Sequence, residues 1–421
     1  MSSSATAGRP LATRRPNIEI VLAAAVIFVL TGGVSALLTQ RFTTGGPDFE
    51  IWTYQYPFTL AGLIGAGLLG RHLPRLTSVP AQAAAAAAAA YVAWSLASVS
   101  WSIIPALTSS RALTTVGVVA FGVWFGTRLT AEQQMRAVAW AMAGVVVASA
   151  FLVVVVPSYG RGAFRDPTGG RFRGLSANPN SLGPLCVLSL VTFVAMAWTS
   201  SEPRRRSGWA AGAVVAVVLL VGSRSETAIA TAVIAGVLAI AIATVGVLRQ
   251  RGVDAQVVAG GAGLAAVAVA AGSWRLFWRI SELLSGDDTF GGRRRIWNTV
   301  VGVAGLRPWR GWGYWAYWNV TNSGAIIRYG SAHNSLLEVY LGLGRIGLLL
   351  FGAIVVLAIA GVSRRLWLCY TPSTVWLAIT VGTLLVGNIT ESFVLFHSHN
   401  WALVCGAAVG CWTWRNRDQS S

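Results

Sequence analysis

SAHNSLLEVYLGLGRIGLLLF, residues Ser331–Phe351, sets a histidine and an asparagine at the mouth of a run that is otherwise almost wholly apolar. The chain has only 4 histidines, so one at such an edge asks for a reason. Its surroundings are the same kind of sequence: 55% of residues are hydrophobic, 11% are charged, and the mean hydropathy is +0.62. A soluble domain carries about twice that share of charge. The composition therefore describes an integral membrane protein, and the length of the apolar runs makes it an all-α one.

In hydrocarbon every backbone polar group has to be paired within the segment, which calls for about 20 apolar residues per helix. About twelve segments qualify on that criterion, near 18–39, 56–73, 80–98, 109–127, 137–157, 178–199, 208–222, 226–248, 256–276, 335–361, 373–390 and 393–413. The expected organisation is a tail over 1–17, spans one to nine over 18–276, a long loop over 277–334, spans ten to twelve over 335–413, and a second tail over 414–421. The first span follows Arg9, Arg14 and Arg15 and is long enough to be an uncleaved signal anchor. The four cysteines, Cys186, Cys369, Cys405 and Cys411, sit in or beside apolar segments and read as small core residues.

The net charge of +18 comes from arginine alone, because the chain has no lysine. In a soluble domain it would suggest nucleic acid, but here the arginines fall in short patches between spans, and no domain offers a basic face. With the N-terminus in the cytoplasm, the loops RHLPR (71–75), TRLTAEQQMR (127–136), EPRRRS (202–207), LRQRG (248–252) and SRRLW (363–367) all lie inside and all are basic, as the positive-inside rule requires. WRNRDQ (414–419) is assigned to the inside as well, and most of the surplus arginines lie on the other side. Arg161, Arg165, Arg171 and Arg173 follow span five, Arg224 sits at the break between spans seven and eight, and Arg293, Arg294, Arg295, Arg307, Arg310 and Arg328 crowd the 277–334 loop. Two readings account for an excess of cations on the translocated face. One is an anionic ligand, whose oxygens suit the guanidinium fork; the other is contact with lipid head groups.

Local patterns refine this picture. GGRFRGLSANPNSLG (169–183) ends in a cap for span six at Ser176 or Asn178. In GGRRRIWNTVVGVAGLRPW (291–309), Trp297, Val300, Val301 and Ala304 recur at helical spacing and predict an amphipathic interfacial helix. RPWRGWGYWAYW (307–318) suits either the bilayer interface or stacking on sugar rings. His397 and His399 stand two apart, which is unsuited to a shared metal ion.

Taken in order, RGLSANPNSLG, the Ser223–Arg224 break, Gly292–Arg293 followed by Trp297, P..GWG (308–313) and AHNSLLEVYLGLGRIG (332–347) resemble the O-antigen ligase and polymerase superfamily over roughly 171–347. The resemblance implies a GT-C-like fold of about twelve spans and transfer of a glycan from a polyprenyl diphosphate carrier. The acceptor would be a hydroxyl of a glycan, lipid or protein at the outer face of the plasma membrane. No nucleotide sugar, metal or other cofactor is implied. Carried over by motif, the catalytic residues are Arg224, Arg293 and His333. The spacing to Trp297 favours Arg293, but Arg295 stands close beside it.

The residues support that chemistry on their own terms. A departing diphosphate needs its growing charge stabilised, and an attacking hydroxyl needs its proton removed. Arginine supplies the first, and an imidazole with an ordinary pKa near 6.5 supplies the second. Arg171, Arg173, Asn180, Arg295, Asn334 and Glu338 are expected to bind substrate around that centre, and Glu391, between spans eleven and twelve, either orients the arginines or the acceptor or simply satisfies them. For His333 the competing reading is a helix cap shared with Asn334. Ligase and polymerase remain open, and a flippase would need a charged path through the bilayer.

Overall fold

The structure is a computed structural model and describes residues 18–41, 47–161, 169–176, 178–253, 293–319, 331–389, 391–392 and 398–413, with side chains omitted over 39–54 and at 319. The expected span at 256–276, and with it Arg165, Arg275, Arg279 and Arg328, lies outside these residues. Among the described residues the chain is helical, with one isolated bridge between Arg161 and Phe172. The helices are α1 (Ile18–Leu30), α2 (Gly33–Arg41), α3 (Pro47–Arg71), α4 (Val79–Ala97), α5 (Pro105–Arg128), α6 (Ala131–Val155), the single turn α7 (Pro157–Gly160), α8 (Pro179–Thr199), α9 (Pro203–Ser223), α10 (Glu226–Gln250), α11 (Arg293–Gly305), α12 (Ser335–Leu368), α13 (Pro372–Gly387) and α14 (His399–Thr413). Seven of them, α4, α5, α6, α8, α9, α10 and α12, are long and apolar enough to cross a membrane, and α1 and α13 are shorter apolar helices. The protein is a polytopic membrane protein.

Helix starts follow local chemistry. Pro105, Pro179, Pro203 and Pro372 open α5, α8, α9 and α13 at the first position, where a missing N–H costs nothing. Thr130 caps α6 with a capping box, and Asn178 rather than Ser176 caps α8 by accepting from the Ser181 N–H at 2.9 Å. The core is built on α14, which is buried from His399 to Cys411 and crosses α5 through glycines. A Cβ placed on Gly126 would lie 2.0 Å from the Gly406 carbonyl oxygen, so only the small residues allow the two backbones to meet. Phe351 stacks on Trp401 at 5.3 Å and ties α12 to the same centre.

Two expected spans are broken. The first, 18–39, divides at Thr31 and Gly32, where Gly32 has φ 85°. The tenth, 335–361, runs on to Leu368 but is interrupted at Gly344, with φ 68° and ψ −164°. That conformation is essentially restricted to glycine. The freed backbone groups are paired by the 308–313 loop: Trp312 N–H donates to the Leu341 carbonyl and Gly313 N–H to that of Gly342, both at 3.0 Å, while Arg345 N–H donates to the Pro308 carbonyl at 2.8 Å. The tryptophan-rich loop therefore completes the hydrogen bonding of a broken helix. Arg345 stacks over the Trp309 ring in the same place, 5.2 Å from its centroid.

The amphipathic helix α11 buries Ile296, Val300 and Ala304 against Trp318, Ala332 and Leu341. Its apolar stripe is thus rotated from the expected one, since Val301 is exposed and Trp297 is half-buried. The rotation turns Arg293 inward.

Candidate functional site

Five segments converge at one end of the bundle: the 169–176 loop, the α9–α10 break, the start of α11, the residues leading into α12, and the turn after α13. Glu391 in that turn joins the start of α10, the start of α11 and the residue leading into α12. It is 4% exposed, its Oε2 lies 2.8 Å from His333 Nδ1, its Oε1 accepts from Thr227 Oγ1 at 3.3 Å, and the same Oε1 pairs with Arg293 Nη2. Burial pushes this carboxyl up, but the His333 hydrogen bond, the Arg293 charge and the Thr227 hydroxyl outweigh it and hold the group below the ordinary glutamate value. An ionised carboxylate only accepts, so Nδ1 is the donor to Glu391, which in the neutral tautomer leaves the Nε2 lone pair free.

His333 is held there at some cost. It adopts φ 48°, a left-handed conformation that β-carbons disfavour, and Arg224 does the same at φ 47°. The neighbouring Asn334 is the true cap of α12. Its Oδ1 accepts from Leu336 and Leu337 at 2.9 and 3.2 Å, and its Nδ2 donates to the Ile389 carbonyl at 2.9 Å. The cap role and the histidine's role are therefore divided between adjacent residues, and Asn334 also ties the start of α12 to the turn that carries Glu391. Glu338, 5% exposed, accepts from Trp318 Nε1 at 2.7 Å and from the Ala332 N–H, and so fixes the backbone immediately before His333.

The second centre is the α9–α10 break. Arg171 donates from Nε to the Ser223 carbonyl at 2.8 Å and from Nη2 to the Arg224 carbonyl at 3.0 Å and to Asn180 Oδ1 at 2.9 Å. Burial lowers its pKa, the Glu226 charge opposes that, and the Arg224 charge adds to it. Phe172 N–H donates to the Gly222 carbonyl at 2.8 Å, so the loop lies along the end of α9. Arg224 itself is exposed, three residues before Thr227 and its bond to Glu391.

The structure thus joins the sequence motifs in pairs. The Arg171 loop meets the Ser223–Arg224 break, Arg293 meets His333 through Glu391, and P..GWG meets GLGRIG. Between the two candidate loop arginines, Arg293 turns in to Glu391, whereas Arg294 and Arg295 are exposed. Trp297 donates to the Ala332 carbonyl at 2.8 Å and holds α11 beside His333. Arg173 is engaged elsewhere, donating to the Tyr159 carbonyl and lying over the Tyr159 ring at 5.1 Å. Glu391, an acid in the apolar stretch VGNITESF expected to orient or satisfy the arginines or to orient the acceptor, pairs with Arg293 and also reaches His333. Thr227 and Trp318 gave no signal, because a threonine or a tryptophan in such a segment is ordinary.

Residues 211–352 match the sequence model of a family described as O-antigen ligase, a stretch that holds Arg224, Arg293 and His333. No curated protein matches the chain.

Proposed function

We propose, on the match of residues 211–352 to the O-antigen ligase family model, that this membrane protein acts in cell-envelope polysaccharide assembly and transfers a glycan, without a metal ion, from a polyprenyl diphosphate carrier to an acceptor hydroxyl at the outer face of the plasma membrane. The observation that carries the reading is the buried Glu391 joined at once to His333 and Arg293. His333 Nε2 takes the proton of the acceptor hydroxyl as its oxygen bonds to the anomeric carbon. The bond from that carbon to the diphosphate oxygen breaks, and the electron pair leaves with the phosphate. Glu391 stabilises the imidazolium so formed and fixes its tautomer, the part a carboxylate plays behind a general-base histidine.

Arg224 and Arg295, both exposed at the same end, meet the diphosphate, and Arg293 adds its charge from beneath. Arg171 and Asn180 hold the turn that presents Arg224, and Asn334 and Glu338 position the backbone of His333. With a lipid or protein acceptor the activity is that of a ligase. With a second carrier-linked glycan it becomes polymerisation at the same centre.

The comparison that tests this is His333→Asn against wild type, with a defined polyprenyl diphosphate donor. Turnover falls by about two to four orders of magnitude while donor binding survives, since general-base transfer contributes about that much. Near wild-type transfer by the asparagine variant would remove the histidine from the chemistry. Arg224→Lys should recover little activity, because lysine lacks the bidentate fork.

A further inference from the structure

Behind Glu391, on the side away from His333, lies a cavity between α8, α10, α13 and the start of α14, with Thr227, Thr231, Thr380, Thr383 and Asn400 among its lining residues. A threonine inside a helix ordinarily donates to the carbonyl one turn back, as Thr231 does to Thr227 at 2.7 Å. Thr380 and Thr383 do not. Their hydroxyls and Asn400 Oδ1 are buried without a hydrogen-bond partner in the protein, and the three residues are 2%, 5% and 5% exposed. Three such groups, on residues that line one space within an apolar bundle, are costly unless something pairs them.

The size of the space limits what that is. About 30 Å³ is free for the centres of water molecules, and each needs ~10–15 Å³ of that measure, so about two or three fit. A sugar ring does not. An acyl or isoprenyl chain fits the apolar wall but satisfies none of the three polar atoms. We propose that this cavity is a water site, and that its two or three waters bridge the Glu391 carboxylate to Thr380, Thr383 and Asn400, making these three positioning residues for the His333–Glu391 pair. The functional half of this rests on His333 as the base; the water site itself does not. The waters let Glu391 keep one orientation while the imidazole in front of it gains and loses its proton.

The deciding measurement is a map of the wild-type protein at a resolution that shows ordered water. Discrete density within hydrogen-bond reach of Thr383, Thr380 and Asn400 supports the assignment; a continuous tubular feature or an empty space overturns it. In parallel, the Thr380→Val/Thr383→Val pair should lower kcat roughly tenfold, the worth of about one hydrogen bond, with the donor KM unchanged, and the Thr380→Ser/Thr383→Ser pair should restore it. A valine pair inserted at normal levels and turning over at the wild-type rate overturns the positioning role. If His333→Asn proved active while the waters were present, the catalytic reading would fail and the water site would stand.

Discussion

Glu391 is where charge, geometry and burial meet, and substitution there separates its two tasks. Glu391→Gln keeps the shape but loses the charge that holds Arg293 and the imidazolium. Turnover is expected to fall about 10²- to 10⁴-fold, and the orphaned arginine should cost about 3–5 kcal/mol of stability. The pH dependence of that stability has a definite sign. The folded Glu391 lies below its ordinary value, so its contribution is complete above the unfolded pKa of about 4.3. It is lost as pH falls through the folded value. The difference in melting temperature between wild type and Glu391→Gln should therefore be full at neutral pH and shrink below about pH 4. An undiminished gap in acid would mean that the pair is not charged. At this scale the sequence was informative for groups that are rare in apolar surroundings, which is why Arg224, Arg293 and His333 stood out. It was silent on which side chains meet. The adjacent arginines 293–295 look alike in one dimension, and only the helix rotation that buries Ile296 tells them apart.

The broken α12 makes the sharpest prediction among the elements. A Cβ on Gly344 would lie 2.3 Å from the Trp309 carbonyl carbon, at a backbone conformation that side chains do not adopt. Gly344→Ala should thus displace the 308–313 loop and lower the unfolding temperature in detergent sharply, with loss of transfer. Gly352, in the same helix with nothing within 4 Å of its Cβ position, is the control. Gly352→Ala is expected to be neutral or to stabilise by about 0.5–1 kcal/mol. Equal effects at the two sites would remove the loop from the helix's hydrogen bonding. The break was not legible in the sequence, because GLGRIG sits in an apolar run long enough to read as one helix and its partner lies some thirty residues upstream. Periodicity reports a segment's own face and carries no sign of a distant loop that substitutes for helical hydrogen bonds. The cap of α8 was the opposite case, since Asn178 closes it on an N–H within one turn.

At the scale of the molecule, the basic loops 127–136, 202–207 and 248–252 are expected on the cytoplasmic side and the site loops on the other. We expect Arg310→Cys to react with an impermeant thiol reagent in intact cells and Arg205→Cys to react only after permeabilisation. The reverse pattern would invert the protein and move the chemistry to the cytoplasmic face. Fold class was readable because lipid imposes it on every span at once, whereas the meeting of Thr227, Arg293 and His333 at Glu391 is a property of no single span. That meeting also carries a schedule. Glu391 is made after Arg224, Arg293 and His333, so the carboxylate that joins the imidazole to the arginine is the last of the four to leave the ribosome. On the proposed mechanism, a half-made chain has the arginines and the imidazole but not the carboxylate that orients the base. The order of synthesis therefore delays sugar transfer, on that mechanism, until the carboxylate is in place.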